Sequence, residues 1–582
     1  MIKLINKVNI NTTIYRCLSL AAILSLSSCI GEGVGDCPDD VSSPKENRIT
    51  LQFIVSEESS VTRANPVGGE DGNGREDEIF NEAKIHDVNI FLFADNTPKL
   101  LNAAPNTTLA HLYFNLDDPG DRENSLSFEK KTSEENNKTV YTVTFLDEVP
   151  GIVLPLRTQG TVRFITVANR GRSMKDELTQ NGKIQLQDLW NYSGLSATWT
   201  GTSQDVSDGY DRFVMTTAYD DAATDSFITF SNEPGAGTET SPFRGKTTLQ
   251  RMCARIDVMY DDNLKTVEGQ KELQYPAGTS GNTVHITNML PVNVMSSPSY
   301  LFKKVTNGMP TDWTNVTGHT WGGKEEPTDG NGKPSNYVLE PNTLLKESLA
   351  SNNLTNWYGD TRTAMVKDET INSKENGKVG GYHHYPFNTI YDNTKTYSNI
   401  AVLGYANENT QSPNQFNSNY LTGIAFRAVY IPVKIESSET ATTDKPAKIY
   451  RYSPSKDGEV DESKSLYFSD KDACDAYQDS HKTDMADITE FDAVEYGGKW
   501  GFVCYYNLWL KHYDDVDDAV HSDPHDVFPM QYATVRNNIY RVALKFNGPG
   551  DPTPTMREPE TMQARIFVRK WNQRIENEAL QF

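Results

Sequence analysis

Apolar residues in this chain recur at every second position, and that period limits the fold class more than any other feature. In "RITLQFIV", Ile49, Leu51, Phe53 and Val55 alternate with Thr50 and Gln52. A period of two puts one set of side chains on a single face of a strand, and burying that face requires a packed sheet. Related patterns run through Ile85 to Phe93, Thr161 to Ala168, Trp500 to Leu510, Tyr532 to Phe546 and Met562 to Trp571. "DRFVMTTA" and "SFITFS" read as a pair joined by a polar turn, and Arg251, Ala254 and Ile256 as parts of one long strand. Helical periodicity is weak; Leu186 to Tyr192 is the best short candidate. The expectation is an all-β chain. The stretch from Leu264 to Trp500, rich in Asn, Gly, Ser and Tyr, reads as strands joined by long surface insertions. No short-period repeat is visible, which disfavours solenoids and propellers.

The strand Ile49 to Val55 lies between the start of the chain and a polar run, Ser56 to Ser60, followed by Arg63-Ala64. One cut there would detach it from everything after it. Upstream, Lys3, Lys7 and Arg16 precede a short apolar run, Cys17 to Leu26, too short to span a bilayer but suited to a secretion signal. It ends in Leu26-Ser27-Ser28-Cys29, which resembles a bacterial lipobox. That resemblance implies cleavage before Cys29 and a lipid on its thiol, in an outer-membrane precursor. No later segment is apolar enough to cross a membrane, leaving the lipid as the expected anchor.

The 582 residues suffice for two or three domains, and the net charge of −24 argues against nucleic acid or an anionic lipid surface as a partner. Beyond Cys17 and Cys29 there remain Cys37, Cys253, Cys474 and Cys504. Cys474 and Cys504 could form a disulfide, and Cys253 reads as a small buried hydrophobe. The densest cluster of metal-ligand types is "KHYDDVDDAVHSDPHD", with His512, Asp514, Asp515, His521, His525 and Asp526. Its spacing fits no metal template, and an acidic loop is usually only solvated. His383-His384 is weaker still, and Glu70 to Glu78 lacks the full ligand pattern of a calcium loop. Phosphate-binding loops and nucleophile elbows are missing. No cofactor is expected, and nothing makes a positive case for an enzyme, although a glycosidase carboxylate pair would not stand out in so acidic a chain.

Taken in order, the motifs resemble the fimbrillin family, the major fimbrial subunits of type V pili. They run from the lipobox at Cys29 to a first strand followed by Thr62-Arg63-Ala64. "ITVANRG" and "FVMTTA" come next, then "RMCARIDV", "CYYNLWLKHYDD", "VRNNIYRVALKFNGPG" and a final strand closing on Trp571. The resemblance implies two tandem transthyretin-like Greek-key β-sandwiches, the second with long insertions. It also implies a lipoprotein precursor cut after an arginine by an Arg-specific surface protease, with Arg63 the matching residue and Ala64 the new terminus. The expected divisions are a signal peptide at 1–28, a propeptide with its removable strand at 29–63 and an N-terminal sandwich at 64–246. A C-terminal sandwich at 247–548 and a spacer with donor strand at 549–582 complete the chain. The removable strand carries Ile49, Leu51, Phe53 and Val55. The donor would insert Ala564, Ile566 and Val568, with Phe567 and Trp571 on the outer side and the Pro-rich segment after Gly548 as a stiff spacer. Partners would be further copies and other fimbrial subunits, and the surface receptor is open. The alternatives are a tip or anchor subunit, or a glycan-binding surface lipoprotein.

Overall fold

The computed structural model describes residues 48–55, 82–93, 108–117, 125–133, 138–146, 160–180, 183–193, 198–200, 211–218, 226–231, 233–260, 265–267, 270–295, 299–308, 319–321, 336–341, 343, 383–392, 395–410, 420–437, 445–456, 459–481, 485–512, 530–554 and 561–570. All of them fall in one compact unit, Glu46–Phe582. The first sheet contains β1 (Arg48–Val55), β2 (Asp87–Phe93), β3 (Thr108–Asn115), β4 (Ser125–Ser133), β5 (Lys138–Leu146) and β6 (Gly160–Ala168). It continues with β7 (Thr179–Gln180), β8 (Lys183–Gln185), β9 (Met215–Thr217), β10 (Phe227–Phe230) and β11 (Phe243–Arg251). Their order is β4-β5-β1-β11-β9-β6-β2-β3-β8-β7, with β10 also on β6.

This array folds over on itself into a β-sandwich. Phe114 of β3 meets Phe145 of β5, strands far apart in the order, with ring centroids 5.6 Å apart. Phe230 and Phe243 meet at 4.7 Å. Where β11 passes under β6 the residue is Gly245; a Cβ there would stand 2.7 Å from the Phe164 ring and 3.0 Å from Leu51. The close approach of the layers therefore requires glycine.

The second array begins with β12 (Ala254–Tyr260), placed between strands Lys395–Ala406 and Asn538–Phe546. It includes Gly423–Ile431, Met485–Tyr496, Lys499–Trp509 and Met562–Lys570. Its core gathers around Phe546, whose ring lies 4.8 Å from Tyr506 and 5.2 Å from Tyr275. A separate three-stranded sheet centres on Lys304–Thr306. The all-β expectation holds, and both large arrays form β-sandwich layers.

Several details differ from the sequence expectation. "DRFVMTTA" and "SFITFS" do not pair with each other: β9 takes the Val167–Ala168 end of β6 and β10 takes the Gly160–Arg163 end. β9 is also held on its other edge by β11, from Leu249↔Thr217 to Arg251↔Met215. The run through Arg251 and Ile256 is two strands, because β11 ends at Arg251 in the first sheet and β12 starts at Ala254 in the second. β11 thus extends past the expected division after residue 246. Cys474 and Cys504 are free thiols, one on helix Lys471–Ser480 in a small satellite cluster and the other in the second core. Burial pushes both up to about 11. Cys253 is buried as expected. The Pro-rich segment is not an extended spacer over its described part. Asp551 and Tyr505 exchange backbone hydrogen bonds at 2.8 Å, and Thr561 Oγ1 donates to the Pro549 carbonyl at 2.7 Å.

The two sandwiches meet through buried charge. The alternation that sends Ala254, Ile256 and Val258 into the second core turns Arg255 and Asp257 to the opposite face. There Arg255 Nη1 lies 3.0 Å from Glu82 Oε2, and Arg255 Nε 3.1 Å from Asp257 Oδ1. Arg541 Nε reaches Asp257 Oδ2 at 3.2 Å. Arg251 Nε donates to the Glu82 carbonyl at 2.9 Å, and the Tyr405 hydroxyl donates to its carboxylate. Nearby, Arg536 pairs with Glu408 at 2.7 Å and donates to the Leu301 carbonyl. The "RMCARIDV" and "VRNNIYRVALKF" motifs therefore supply the ion network. Breaking one member leaves an uncompensated buried charge, which costs about 3–5 kcal/mol. Glu82→Ala is expected to lower stability by that amount in urea unfolding followed by tryptophan fluorescence, with Glu82→Gln milder.

Candidate functional site

The site is β1 and the groove that holds it. β1 runs antiparallel to β5 over eight register positions, Arg48↔Leu146 to Val55↔Thr139. On its other side it runs parallel to β11 over seven, Ile49↔Phe243 to Val55↔Leu249. It is therefore an interior strand, hydrogen-bonded on both edges. Ile49, Leu51, Phe53 and Val55 are each 0% exposed and join one core with Tyr141, Val143, Phe145, Phe164 and Leu249. On the opposite face Thr50 and Thr144 share a hydroxyl hydrogen bond of 3.0 Å. Arg48 N–H donates to the Gly237 carbonyl at 2.8 Å and fixes the strand's start.

Everything else in the described fold follows Glu82 in the chain. A single break between Val55 and Glu82 would leave β1 held only by non-covalent contacts. Its departure would leave β5 and β11 with facing unpaired edges around an apolar floor. Such a gap is a template for another strand. Arg63 and Ala64 fall in that connection, outside the described residues; Cys29, upstream of β1, is also outside them.

The expected donor is also a strand. Met562–Lys570 pairs antiparallel with Asn538–Phe546, from Phe546↔Met562 to Asn538↔Lys570. Met562 and Ile566 are buried in the second core, and Ala564 packs against it. In the single chain, then, Ala564 and Ile566 already plug their own sandwich. Val568 and Phe567 lie in the strand by register; Trp571 is outside the described residues.

A further cluster of titratable groups lies elsewhere on the first sandwich. His86 Nδ1 is 2.6 Å from Asp117 Oδ2 and its Nε2 is 2.8 Å from Asp211 Oδ1. Arg212 Nη2 lies 3.1 Å from Asp117 and its Nη1 3.7 Å from Asp87. Asn169, in the left-handed conformation at φ 62, braces this corner: it accepts from His86 N–H at 2.7 Å and donates to the Lys84 and Phe213 carbonyls. That explains the "ANRG" turn. Burial pushes Asp87 up to about 6, against the Gly171 N–H, Arg212 and His86. Burial would also raise Asp211, but the His86 hydrogen bond and the Arg212 N–H hold it below the usual carboxylate range. Among the described residues no group of His, Cys, Asp and Glu could hold a metal. His512, from the His/Asp-rich run, instead sits 2.9 Å from the Tyr540 hydroxyl, and residues 513–529 are outside the described set. His383 and His384 lie in a strand. Residues 70–78 are not described.

Residues 501–577 match the family described as major fimbrial subunit protein type IV, Fimbrillin, C-terminal. Over that stretch the chain is similar to the fimbrillin C-terminal family. That segment holds strand Asn538–Phe546 together with Met562–Lys570. No curated protein matches the chain. Among solved structures, a fimbrilin from Porphyromonas gingivalis is 12% identical, covering 90% of this chain and 98% of its own, with a TM-score of 0.30. The tip fimbrial protein of the same organism, truncated at its C-terminus, is 9% identical over 90% and 100%, with a TM-score of 0.27. A fimbrial assembly protein from Parabacteroides distasonis is 10% identical over 67% and 96%, with a TM-score of 0.24.

Two outcomes follow. A chain beginning at Ala64 should melt lower than one containing β1, and added peptide Arg48–Val55 should restore the melting temperature. A Phe53→Ala peptide should bind at least 100-fold more weakly, since losing a buried Phe costs about 3–5 kcal/mol. For Asp87, the raised folded value means the fold favours its protonated form. That contribution is present below pH 4 and lost as pH rises through about 6. Thermal melts from pH 4 to 8 should therefore show Asp87→Asn gaining on the parent across that window, by up to about 3 kcal/mol.

Proposed function

We propose that this chain is a fimbrial subunit that polymerises by strand exchange after β1 is removed. The observation that supports the reading is the place of β1: an interior strand with its apolar face fully buried, whose only covalent link to the fold is the connection containing Arg63. An Arg-specific surface protease cuts after Arg63, freeing Ala64 and separating the body from lipidated Cys29. The lipid is then a carrier to the outer membrane rather than a permanent anchor. The Met562–Lys570 strand of a second copy, nine residues against the eight of β1, fills the vacated groove with Ala564, Ile566 and Val568. Donor and acceptor lie on different sandwiches, so the contact is heterologous and extends into a filament. Burying Ala564, Ile566 and Val568 contributes about 4–7 kcal/mol before ordering costs, to which the backbone ladders on both edges add. The reading is structural and adhesive rather than enzymatic.

Arg63→Ala should accumulate as a full-length, lipid-labelled monomer; normal fibres from this variant would exclude groove opening by that cut. Deleting residues 562–582 would uncover the second core, so the donor is better tested by locking it. Lys545 and Gln563 are register partners. Lys545→Cys with Gln563→Cys should stay monomeric when oxidised and form fibres on reduction, scored by electron microscopy. Equal fibre yield in both states would sink the donor assignment.

A further inference from the structure

Residues 233–241 link β10 to β11 and meet the start of β1. Gly235 and Gly237 sit at φ 87 and 77, a backbone region that glycine enters freely. The loop is tied within itself. Ala236 N–H donates to the Glu233 carbonyl at 3.0 Å, Gly237 N–H to the Ser241 carbonyl at 2.8 Å, and Thr238 Oγ1 to the Gly235 carbonyl at 2.8 Å. Ala236 packs against the first core, and Gly237 is buried. The Gly237 carbonyl then accepts from Arg48 N–H at 2.8 Å. Arg48 Nη1 also lies 3.5 Å from Glu239 Oε1, an exposed pair that adds little.

This hold and the proposed cut lie at opposite ends of β1. The loop grips Arg48, the end at which the segment carrying Cys29 enters; the connection with Arg63 leaves from Val55. Cutting that connection leaves the loop's described contacts and both ladders of β1 in place. We infer that residues 233–241 are a clasp that keeps β1 seated after cleavage, so that cutting and release are separate steps. The inference rests on the strand-exchange reading and adds an order of events to it. The nicked chain is a loaded intermediate whose body is still bound, through β1, to the segment with Cys29. Separation waits until an incoming strand enters at the cut end, between the register positions Thr139 of β5 and Leu249 of β11. It then displaces Val55, Phe53, Leu51 and Ile49 in turn, taking over the free backbone edges as they open. The clasp on Arg48 opens last.

The test uses the full chain, cut after Arg63 by an Arg-specific protease and passed through gel filtration. Mass spectrometry reads how much of the N-terminal fragment stays with the body. The fragment should co-elute with the parent body for hours and separate in urea. Arg48→Pro removes the N–H donor at the first position of the strand, where proline is tolerated, and should speed loss of the fragment about tenfold. Thr238→Val loosens the loop without touching β1 and should speed it about threefold. Arg48→Ala should change it less than about twofold. Hydrogen exchange on the nicked parent should show protection lost at Val55 and Phe53 before Ile49. Immediate loss of the fragment from the parent would overturn the inference, as would equal rates in the parent, Arg48→Pro and Thr238→Val, or protection lost first at Ile49. A chain beginning at Ala64 has no β1 to release and tests strand exchange separately. Absence of fibres from that chain, when folded, counts against exchange itself; fibres from it, together with immediate loss of the fragment from the nicked parent, count against the clasp alone.

Discussion

The first sandwich depends on one pairing, β1 between β5 and β11. An edge strand can leave a sheet and expose one row of backbone groups. An interior strand leaves two, together with the apolar floor beneath it. Here the floor is deep: four consecutive inward positions of β1 have no solvent exposure. The strand is also parallel to β11 and antiparallel to β5, so it is not half of a local hairpin with either. Its neighbours come from residues roughly ninety and two hundred positions downstream, with registers such as Leu51↔Val143 and Leu51↔Gly245. The fold is thus complete only while a segment from the far end of the chain remains seated, and the gap it leaves has the shape of a strand.

Under the proposed exchange a subunit would have to pass force from the β1 groove to the Met562–Lys570 strand, which lie on different sandwiches. The ion network at the junction addresses this. Glu82, Arg255, Asp257 and Arg541 are each nearly or fully inaccessible and each has a charged partner. Buried pairs of this kind add little net stability against an apolar interface of similar shape. Their advantage is angular: Arg255 divides its guanidinium between carboxylates on two sides, and a rotated arrangement would strand a charge in the interior. Glu82 is the first described residue after the connection that contains Arg63. The network therefore sits at the point where the chain after that connection re-enters the fold, and its contacts do not involve β1.

Much of this was legible in the sequence because period two survives wherever one face is buried. Ile49 to Val55 and Thr161 to Ala168 read directly as strands, and Leu186 to Tyr192 as a helical turn, observed at Leu186–Asn191. Asn169, just past β6, takes the left-handed backbone that the turn there needs. What sequence could not supply was partnership. β9 and β10 look like a hairpin because they are neighbours in the chain, yet both are satisfied by β6. Helix Lys471–Ser480 was missed because its apolar face is short; its signal was the cap, where Asp470 accepts from Asp472 N–H, and the Lys471–Asp475 pair one turn on. The charged residues of "RMCARIDV" are conspicuous in sequence, but that their face is buried against the other sandwich depends on contacts 173 positions apart.

The self-docked C-terminal strand bears on the direction of exchange. At home Met562–Lys570 has one described partner, Asn538–Phe546, whose other edge is held by β12. In the groove it would have two, β5 and β11. Exchange thus replaces one ladder with two, and each backbone hydrogen bond gained adds about 0.5–1.5 kcal/mol net. The apolar terms point the same way. The home site buries Met562 and Ile566, each with slight residual exposure, whereas the groove encloses four side chains completely. Leaving home frees one edge and part of one core; entering the groove closes two edges and a whole core. While β1 is seated the groove is full, and the arm has no better place than its own sandwich. In the proposed exchange, removing β1 reverses that order, and a single irreversible cut would turn a self-satisfied monomer into a subunit whose most stable state is a chain.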